Sequence, residues 1–247
     1  MKILCCIPAR YHSSRLNGKP LLKINGISII EHTYKQACKM NVDEIIILTD
    51  DDRILKEVTS FGGKCVIIDE ECLNGTERIC RYLDKIDHSN YDLIFNIQGD
   101  EPFIDHEVCN NLIDEHRMIT NKDVVCSTLS YKTYDYDEIM NFSRGKLVAD
   151  NHNNIMYCSR NIIPISKTGN PCGHHDYNIH VGIFLFNKDY LLEHYMTENT
   201  PLQMVEDIEW LKILEQGYKI HVVFGNKMER GIDTPDDYEY LCNKYNI

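Results

Sequence analysis

Apolar runs and amphipathic stretches alternate along the first hundred residues. Lys2–Ile7 is apolar at nearly every position, without the one-in-two polarity of a half-exposed strand. That pattern predicts a parallel strand covered on both faces. Ile29–Met40 follows with helical spacing, and Glu44–Thr49 repeats the buried-strand pattern. Asp51–Phe61 reads as a helix closed by Gly62-Gly63, a pair suited to a C-terminal cap. Lys64–Ile68 is a third strand, Gly75–Ile86 a helix, and Leu93–Ile97 a fourth strand ending at Gln98-Gly99-Asp100. Strands spaced by helices predict right-handed crossovers, and hence an α/β fold with a mostly parallel sheet and flanking helices.

The middle of the chain changes character. Val124–Tyr131, Lys146–Asp150, Ile155–Cys158 and Ile179–Phe186 are strand-like, interrupted by the loop Ser166–Tyr177, rich in Gly, His and Asp. These predict a small mixed or antiparallel lobe of the kind that covers a second substrate. A helix over Val205–Gln216, a strand over Ile220–Phe224 and a helix over Asp236–Lys244 complete the reading. The expected organisation is a single domain over residues 1–247, with the lobe at about 124–200.

Composition adds exclusions. A 43% hydrophobic and 26% charged chain can build an ordinary core. Its net charge of -12 argues against a nucleic-acid partner, which needs a basic face, but leaves room for a small anion in a local basic pocket. The opening MKILCCIPAR reaches Arg10 without a long apolar stretch, and no window of about 20 apolar residues exists to span a bilayer. The expectation is a cytoplasmic protein with no membrane partner. The 11 cysteines are scattered with no C-x-x-C pair, which predicts reduced structural thiols rather than a zinc site or disulfide framework.

Four segments carry chemistry. Pro8-Ala9-Arg10 opens a loop directly after the first strand, and Ser13, Ser14, Arg15, Gly18 and Lys19 follow within it. Three cations beside small residues at a parallel strand's carboxyl end suit a triphosphate, held by charge-assisted bonds and backbone N–H groups. Asn74-Gly75-Thr76-Glu77-Arg78 lies at a loop-to-helix junction where Asn or Gly can cap. Asn96-Ile97-Gln98-Gly99-Asp100-Glu101 presents carboxylates where a buried strand ends, a placement suited to Mg²⁺. Gly231-Ile232-Asp233-Thr234-Pro235 offers a second carboxylate, Asp233, or simply the start of the last helix.

In this order ARYxSSRLxGKPL, NGTERI, NIQGDEP, Ser159-Arg160, HVGIF and GIDTPDDY span nearly the whole chain. The set resembles the 3-deoxy-manno-octulosonate cytidylyltransferases, or CMP-Kdo synthetases. The resemblance implies a Rossmann-like nucleotidyltransferase core with a dimerisation lobe, and transfer of CMP from CTP to an acidic 3-deoxy sugar. It further implies a homodimer serving cell-surface glycan assembly. By the same resemblance Asp100 and Asp233 hold Mg²⁺, and Arg15, Lys19, Asp100 and Asp233 form the catalytic set. CTP is expected to meet Pro8, Ala9, Arg10, Ser14, Arg15, Lys19, Asn74, Gly75, Thr76, Arg78 and Gln98, with residues 74–78 near the cytosine. Gln98, Arg160, His180, Phe184, Glu209 and Trp210 fall on the family's sugar positions. Lys146 matches a family lysine whose role stays open.

Two departures concern the sugar. Phe184 and Phe186 stand where the family usually has tyrosines, and Trp210 replaces a glutamine beside Glu209. Lost hydrogen bonds to sugar hydroxyls reduce discrimination, so another ulosonic acid, 8-amino-substituted or sialic-type, stays open as substrate. A non-catalytic nucleotide-binding regulator is the reading of a different class, and the retained Arg15, Lys19, Asp100 and Asp233 speak against it.

Overall fold

The computed structural model describes residues 1–245 apart from Ser14, His174, Met228 and Arg230. In chain order the elements begin with β1 (Ile3–Ala9), a 3-10 turn at Lys19–Leu21, and the hairpin of β2 (Lys23–Ile24) and β3 (Ile27–Ser28). Then come α1 (Ile29–Ala37), β4 (Glu44–Thr49), α2 (Asp52–Ser60), β5 (Cys65–Ile67), α3 (Gly75–Leu83), β6 (Leu93–Ile97) and α4 (His106–Met118). The middle holds β7 (Val124–Thr133), α5 (Tyr136–Met140), β8 (Lys146–Ala149), β9 (Ile155–Ser159) and β10 (Tyr177–Asn187). The remainder is α6 (Lys188–Tyr190), which continues as a wider turn over Leu191–Tyr195, then α7 (Pro201–Glu206), α8 (Leu211–Glu215), β11 (Lys219–Gly225) and α9 (Pro235–Tyr245).

The chain forms two compact units, one of residues 1–110, 186–196 and 228–247, the other of residues 111–185 and 197–227. In the first, β1 lies between β4 and β6, β5 extends the β4 side, and these three pairings are parallel. All seven residues of β1 are buried, the two-sided burial its unbroken apolar run predicts. The helices turn their apolar stripes inward: α1 buries Ile29, Ile30, Thr33 and Ala37, and α2 buries Ile54 and Val58. Ser28 accepts from the Glu31 N–H and Asp51 from the Arg53 N–H, so both helices start on side-chain caps.

In the second unit β7 pairs with β11 in parallel and also neighbours β10. β10 and β9 each pair antiparallel with β8. The antiparallel extension is therefore β8–β10, while the 124–131 strand belongs to a parallel pair.

One predicted helix is corrected. Residues 205–216 are not continuous: α7 ends at Glu206 and α8 starts at Leu211, because Asp207 adopts the left-handed region at φ 50°. Asp tolerates that conformation better than most residues, and it turns the chain out of the helix. The sequence reading also missed α4 and the β2–β3 hairpin, whose Asn25-Gly26 turn has φ of 51° and 77°. Asn-Gly is the strongest short hairpin signal, and it was there to be read. All eleven cysteines are free, most of them buried, as expected of structural thiols. No described helix is long and apolar enough to cross a membrane.

Candidate active site

β1 delivers the basic loop. Pro8 and Ala9 are the buried end of the strand rather than loop residues. The loop is then closed by the Gly18 N–H donating to the Tyr11 carbonyl at 2.9 Å. Gly18 has φ +67°, and a Cβ there would meet the Tyr11 ring at 3.2 Å, so conformation and space both call for glycine. The Tyr11 N–H donates to Asp50 Oδ1 at 3.1 Å, and the Arg53 guanidinium lies 3.3 Å from the Tyr11 ring centre. Arg10 is exposed, and the expected Ser14 contact lies outside the described residues.

Lys19 is the hub. Its ammonium donates to Asp100 Oδ2 at 2.5 Å and to the Ile232 carbonyl at 2.6 Å, and lies 3.7 Å from Asp233 Oδ1. The more exposed Arg15 reaches the same Asp233 oxygen at 3.1 Å. The Ile232 N–H donates to the Asp100 carbonyl at 3.0 Å, which ties the end of β6 to the 232–233 segment. Burial alone would lower the Lys19 pKa, but Asp100 and then Asp233 outweigh it and hold it above the ordinary value. All four residues expected to be catalytic thus meet in one cluster.

The cluster fits the metal that the resemblance implies. Two carboxylates on one ammonium suit Mg²⁺, which takes one or two protein carboxylates and completes its shell with phosphate and water oxygens. Among the described residues no group of three or more His, Cys, Asp or Glu could hold a metal ion. The protein offers a partial shell that a polyphosphate would have to finish.

The 74–78 segment divides into two kinds of residue. Asn74 caps α3 by accepting from the Glu77 N–H at 2.8 Å. Gly75 lets the helix start close to β1 and β6, since a Cβ there would lie 2.8 Å from Pro8 Cγ and 2.9 Å from Gln98 Oε1. Gln98 in turn donates to Asn96 at 3.3 Å. Thr76 and Arg78, expected beside the base, are both buried and hold neighbouring segments. Thr76 accepts from the Asn96 amide at 3.0 Å. Arg78 pairs with Asp50 at 3.1 Å and donates to the Ile68 carbonyl at 3.1 Å. Asp50 therefore holds both the basic loop and α3. It was missed from sequence, although its place at the end of a buried strand was a usable signal.

The second unit holds the residues expected to meet the sugar. His180 Nε2 lies 2.9 Å from Thr128 Oγ1, and that hydroxyl also donates to the Ile183 carbonyl at 2.6 Å. With its one proton spent there, Thr128 accepts from His180, which makes Nε2 the protonated nitrogen of a neutral ring. Burial lowers the His180 pKa to about 3. Phe184 and Trp210 wall the imidazole at 5.2 and 4.9 Å between ring centres. Both are almost fully buried and enclose His180, which leaves them little open surface for the sugar contact expected of them.

Arg160 is the largest departure. Expected to fork onto a sugar carboxylate, it donates instead to the carbonyls of Glu206 at 2.7 Å, Asp207 at 2.6 Å and Phe142 at 3.2 Å. It thereby caps the end of α7, where unpaired carbonyls collect. Glu206 answers by accepting from Ser159 Oγ at 2.7 Å and from the Arg160 N–H at 3.0 Å. Glu209 is partly buried in the turn that this arrangement fixes. Lys146 staples the same region: its buried ammonium donates to the carbonyls of Asn141 at 2.9 Å, Arg144 at 2.8 Å and Arg160. Burial lowers its pKa to about 8, which keeps it charged at neutral pH.

A basic loop after one parallel strand, with a carboxylate after another and a second carboxylate just before the last helix, suits a nucleotidyltransferase. The sequence profile of the cytidylyltransferases matches residues 4–220, which sets the class. The chain is similar to the 3-deoxy-manno-octulosonate cytidylyltransferase of Fusobacterium nucleatum, 41% identical over 243 residues that cover 98% of this chain and 96% of the relative. It is also 37% identical over 241 residues to the mitochondrial 3-deoxy-manno-octulosonate cytidylyltransferase of Arabidopsis thaliana, covering 97% of this chain and 82% of that one. A solved structure of CMP:2-keto-3-deoxy-manno-octonic acid synthetase complexed with CTP matches with a TM-score of 0.89 at 30% identity, covering 99% of this chain and 98% of that one. The 4-diphosphocytidyl-2C-methyl-D-erythritol synthase of Anaerococcus prevotii shares the fold, with a TM-score of 0.63 at 17% identity over 100% of this chain and 97% of that one. This chain belongs to the 3-deoxy-manno-octulosonate cytidylyltransferase family.

Proposed function

We propose that the protein transfers CMP from CTP to 3-deoxy-manno-octulosonate, giving the CMP-sugar and pyrophosphate. The observation that carries this is the Lys19–Asp100–Asp233–Arg15 cluster, in a chain 41% identical to a relative of that activity over 98% of its length. A sugar hydroxyl oxygen attacks the α-phosphorus, the bond to the bridging oxygen of pyrophosphate breaks, and the hydroxyl proton leaves to solvent. Such a transfer needs positioning and charge neutralisation more than a covalent nucleophile.

Arg15 and Lys19 bind and orient the triphosphate by charge-assisted hydrogen bonds. Asp100 and Asp233 are the residues that would hold Mg²⁺. When bound, the cation neutralises phosphate charge and favours the ionised nucleophile. In the sugar region neutral His180 has Nδ1 as an acceptor, and Phe184 and Trp210 flank the ring. One second reading, a ulosonic acid altered at a hydroxyl such as an 8-amino analogue, is supported by Phe184, Phe186 and Trp210 standing where the family usually carries polar side chains.

A homodimer belongs to the same reading. It is supported by the largely exposed Phe142, Met156, Met204 and Val205 of the second unit, and light scattering tests it. The test of function is pyrophosphate release with CTP and Mg²⁺, offered 3-deoxy-manno-octulosonate, its 8-amino analogue and a sialic acid in parallel. Turnover is expected with the first. Turnover confined to another acid reassigns the substrate, and silence with all three refutes the transferase reading.

A further inference from the structure

We propose that Lys19 is the resident counter-ion of the carboxylate pair, so that Asp100 and Asp233 take up a divalent cation only once a nucleotide polyphosphate has drawn the Lys19 ammonium away. This rests on the reading of the two carboxylates as the metal-holding pair.

The geometry leaves little room for the alternative. A cation serving both carboxylates must sit between them, and the Lys19 ammonium is already there, 2.5 Å from Asp100 and 3.7 Å from Asp233. The Lys19 side chain is only 11% exposed, so the ammonium cannot yield its place by swinging into water without losing both partners and the Ile232 carbonyl. Arg15 adds a second positive charge on the same Asp233 oxygen. Two cations thus already compensate the Asp100 and Asp233 carboxylates, while the adjacent Asp237 carboxylate accepts from the Asp233 and Thr234 N–H groups and the Thr234 hydroxyl. A divalent ion entering there would meet two like charges at close range, at carboxylates already paired with them.

A polyphosphate changes both terms. Its oxygens replace the carboxylates as partners of Lys19 and Arg15, and they complete the partial shell that two carboxylates begin. Nucleotide and cation therefore enter together or in that order, and nucleotide-free protein is protected from holding a metal ion unproductively. Lys19 acts here as a positioning residue for the metal, in addition to binding phosphate.

The test counts bound Mn²⁺ by electron paramagnetic resonance in nucleotide-free protein, where no turnover contributes. Wild type is expected to bind weakly. Lys19→Met, which keeps the apolar stem, is expected to bind one Mn²⁺ at least about tenfold more tightly, because unit charges this close interact by several times the thermal energy. Lys19→Gln serves as a second variant should the first fail to fold. Adding Asp100→Asn to Lys19→Met should abolish the gained site.

Equal affinity in wild type and Lys19→Met, with the site still lost on Asp100→Asn, overturns the counter-ion role while leaving the metal pair standing. No Mn²⁺ bound by any variant removes the metal pair and this proposal with it. Micromolar binding by wild type alone, without nucleotide, overturns the proposal with no variant needed.

Discussion

Replacing Arg160 by methionine separates two accounts of this residue. In the structure its guanidinium caps α7, with short bonds to Asp207 O at 2.6 Å and Glu206 O at 2.7 Å. The Phe142 O bond at 3.2 Å and the Asp207 carboxylate contact at 3.4 Å are longer. Hydrogen bonds from a charged donor contribute about 1.5–3 kcal/mol each. The Arg160 side chain is 34% exposed, so water replaces part of that on removal. The low end of the range for the two short bonds, with nothing for the longer two, gives a loss of about 3 kcal/mol. In a chain of this size each kcal/mol moves the melting temperature by about 2–4 °C, so a drop of roughly 6–12 °C is expected. Differential scanning calorimetry reads it globally. Trp210, the single tryptophan, sits just beyond the capped turn and reports the local change by its fluorescence. If Arg160 instead serves mainly as a ligand for the sugar carboxylate, the variant will melt within about 2 °C of wild type and show only a raised KM for the sugar. That result would refute the capping argument.

Asp50→Ala strands the buried Arg78 guanidinium with the Ile68 carbonyl alone and frees the Tyr11 N–H. Breaking a buried pair costs about 3–5 kcal/mol, and the partial exposure of Asp50 brings the expectation to about 2–3, together with a raised KM for CTP. Urea unfolding that shifts by less than about 0.5 kcal/mol would count against it. For His180 the folded pKa of about 3 lies below the ordinary 6.5, so the unfolded chain binds the extra proton between those values. Its contribution is present above pH 6.5 and is lost as pH falls toward 3. The melting temperature of His180→Phe should therefore fall less steeply with acid than that of wild type between those limits, and parallel acid limbs would contradict the neutral, part-buried ring.

The parallel core was legible because burial on two faces leaves an unmistakable apolar run: β4 and β6 fall on their predicted bounds, and β1 lies within two residues of its own. The meeting of Lys19, Asp100 and Asp233 was legible too, since all three stand in loops or turns with recognisable chemistry. What sequence periodicity could not carry was the direction of long side chains. Arg78 and Arg160 both read as ligand-binding cations in the sequence, and their backbone acceptors, ten residues away for Arg78 and 46 and 47 away for the short bonds of Arg160, carry no periodic signal. The break at Asp207 was hidden for a related reason: the turn is held by Arg160, far from it in the chain, rather than by a local Gly or Pro. The eleven cysteines, scattered in sequence, are unbridged in the structure.

The ion pair between Arg15 and Asp233 joins positions 218 apart. The segment around it is sealed by a small apolar cluster in which Ile24 and Ile29 pack with Ile232 and Leu241 of the far end. On a ribosome, the basic loop and Asp100 emerge long before Asp233 exists to join them. A nascent chain therefore carries a phosphate-attracting loop without its second carboxylate and with an unsealed apolar face. The Arg15–Asp233 pair and the burial of that face both wait for the last residues of the fold, when the β2–β3 hairpin receives α9. Any translational pause between Asp100 and Asp233 prolongs exactly the interval in which the protein is both inactive and adhesive.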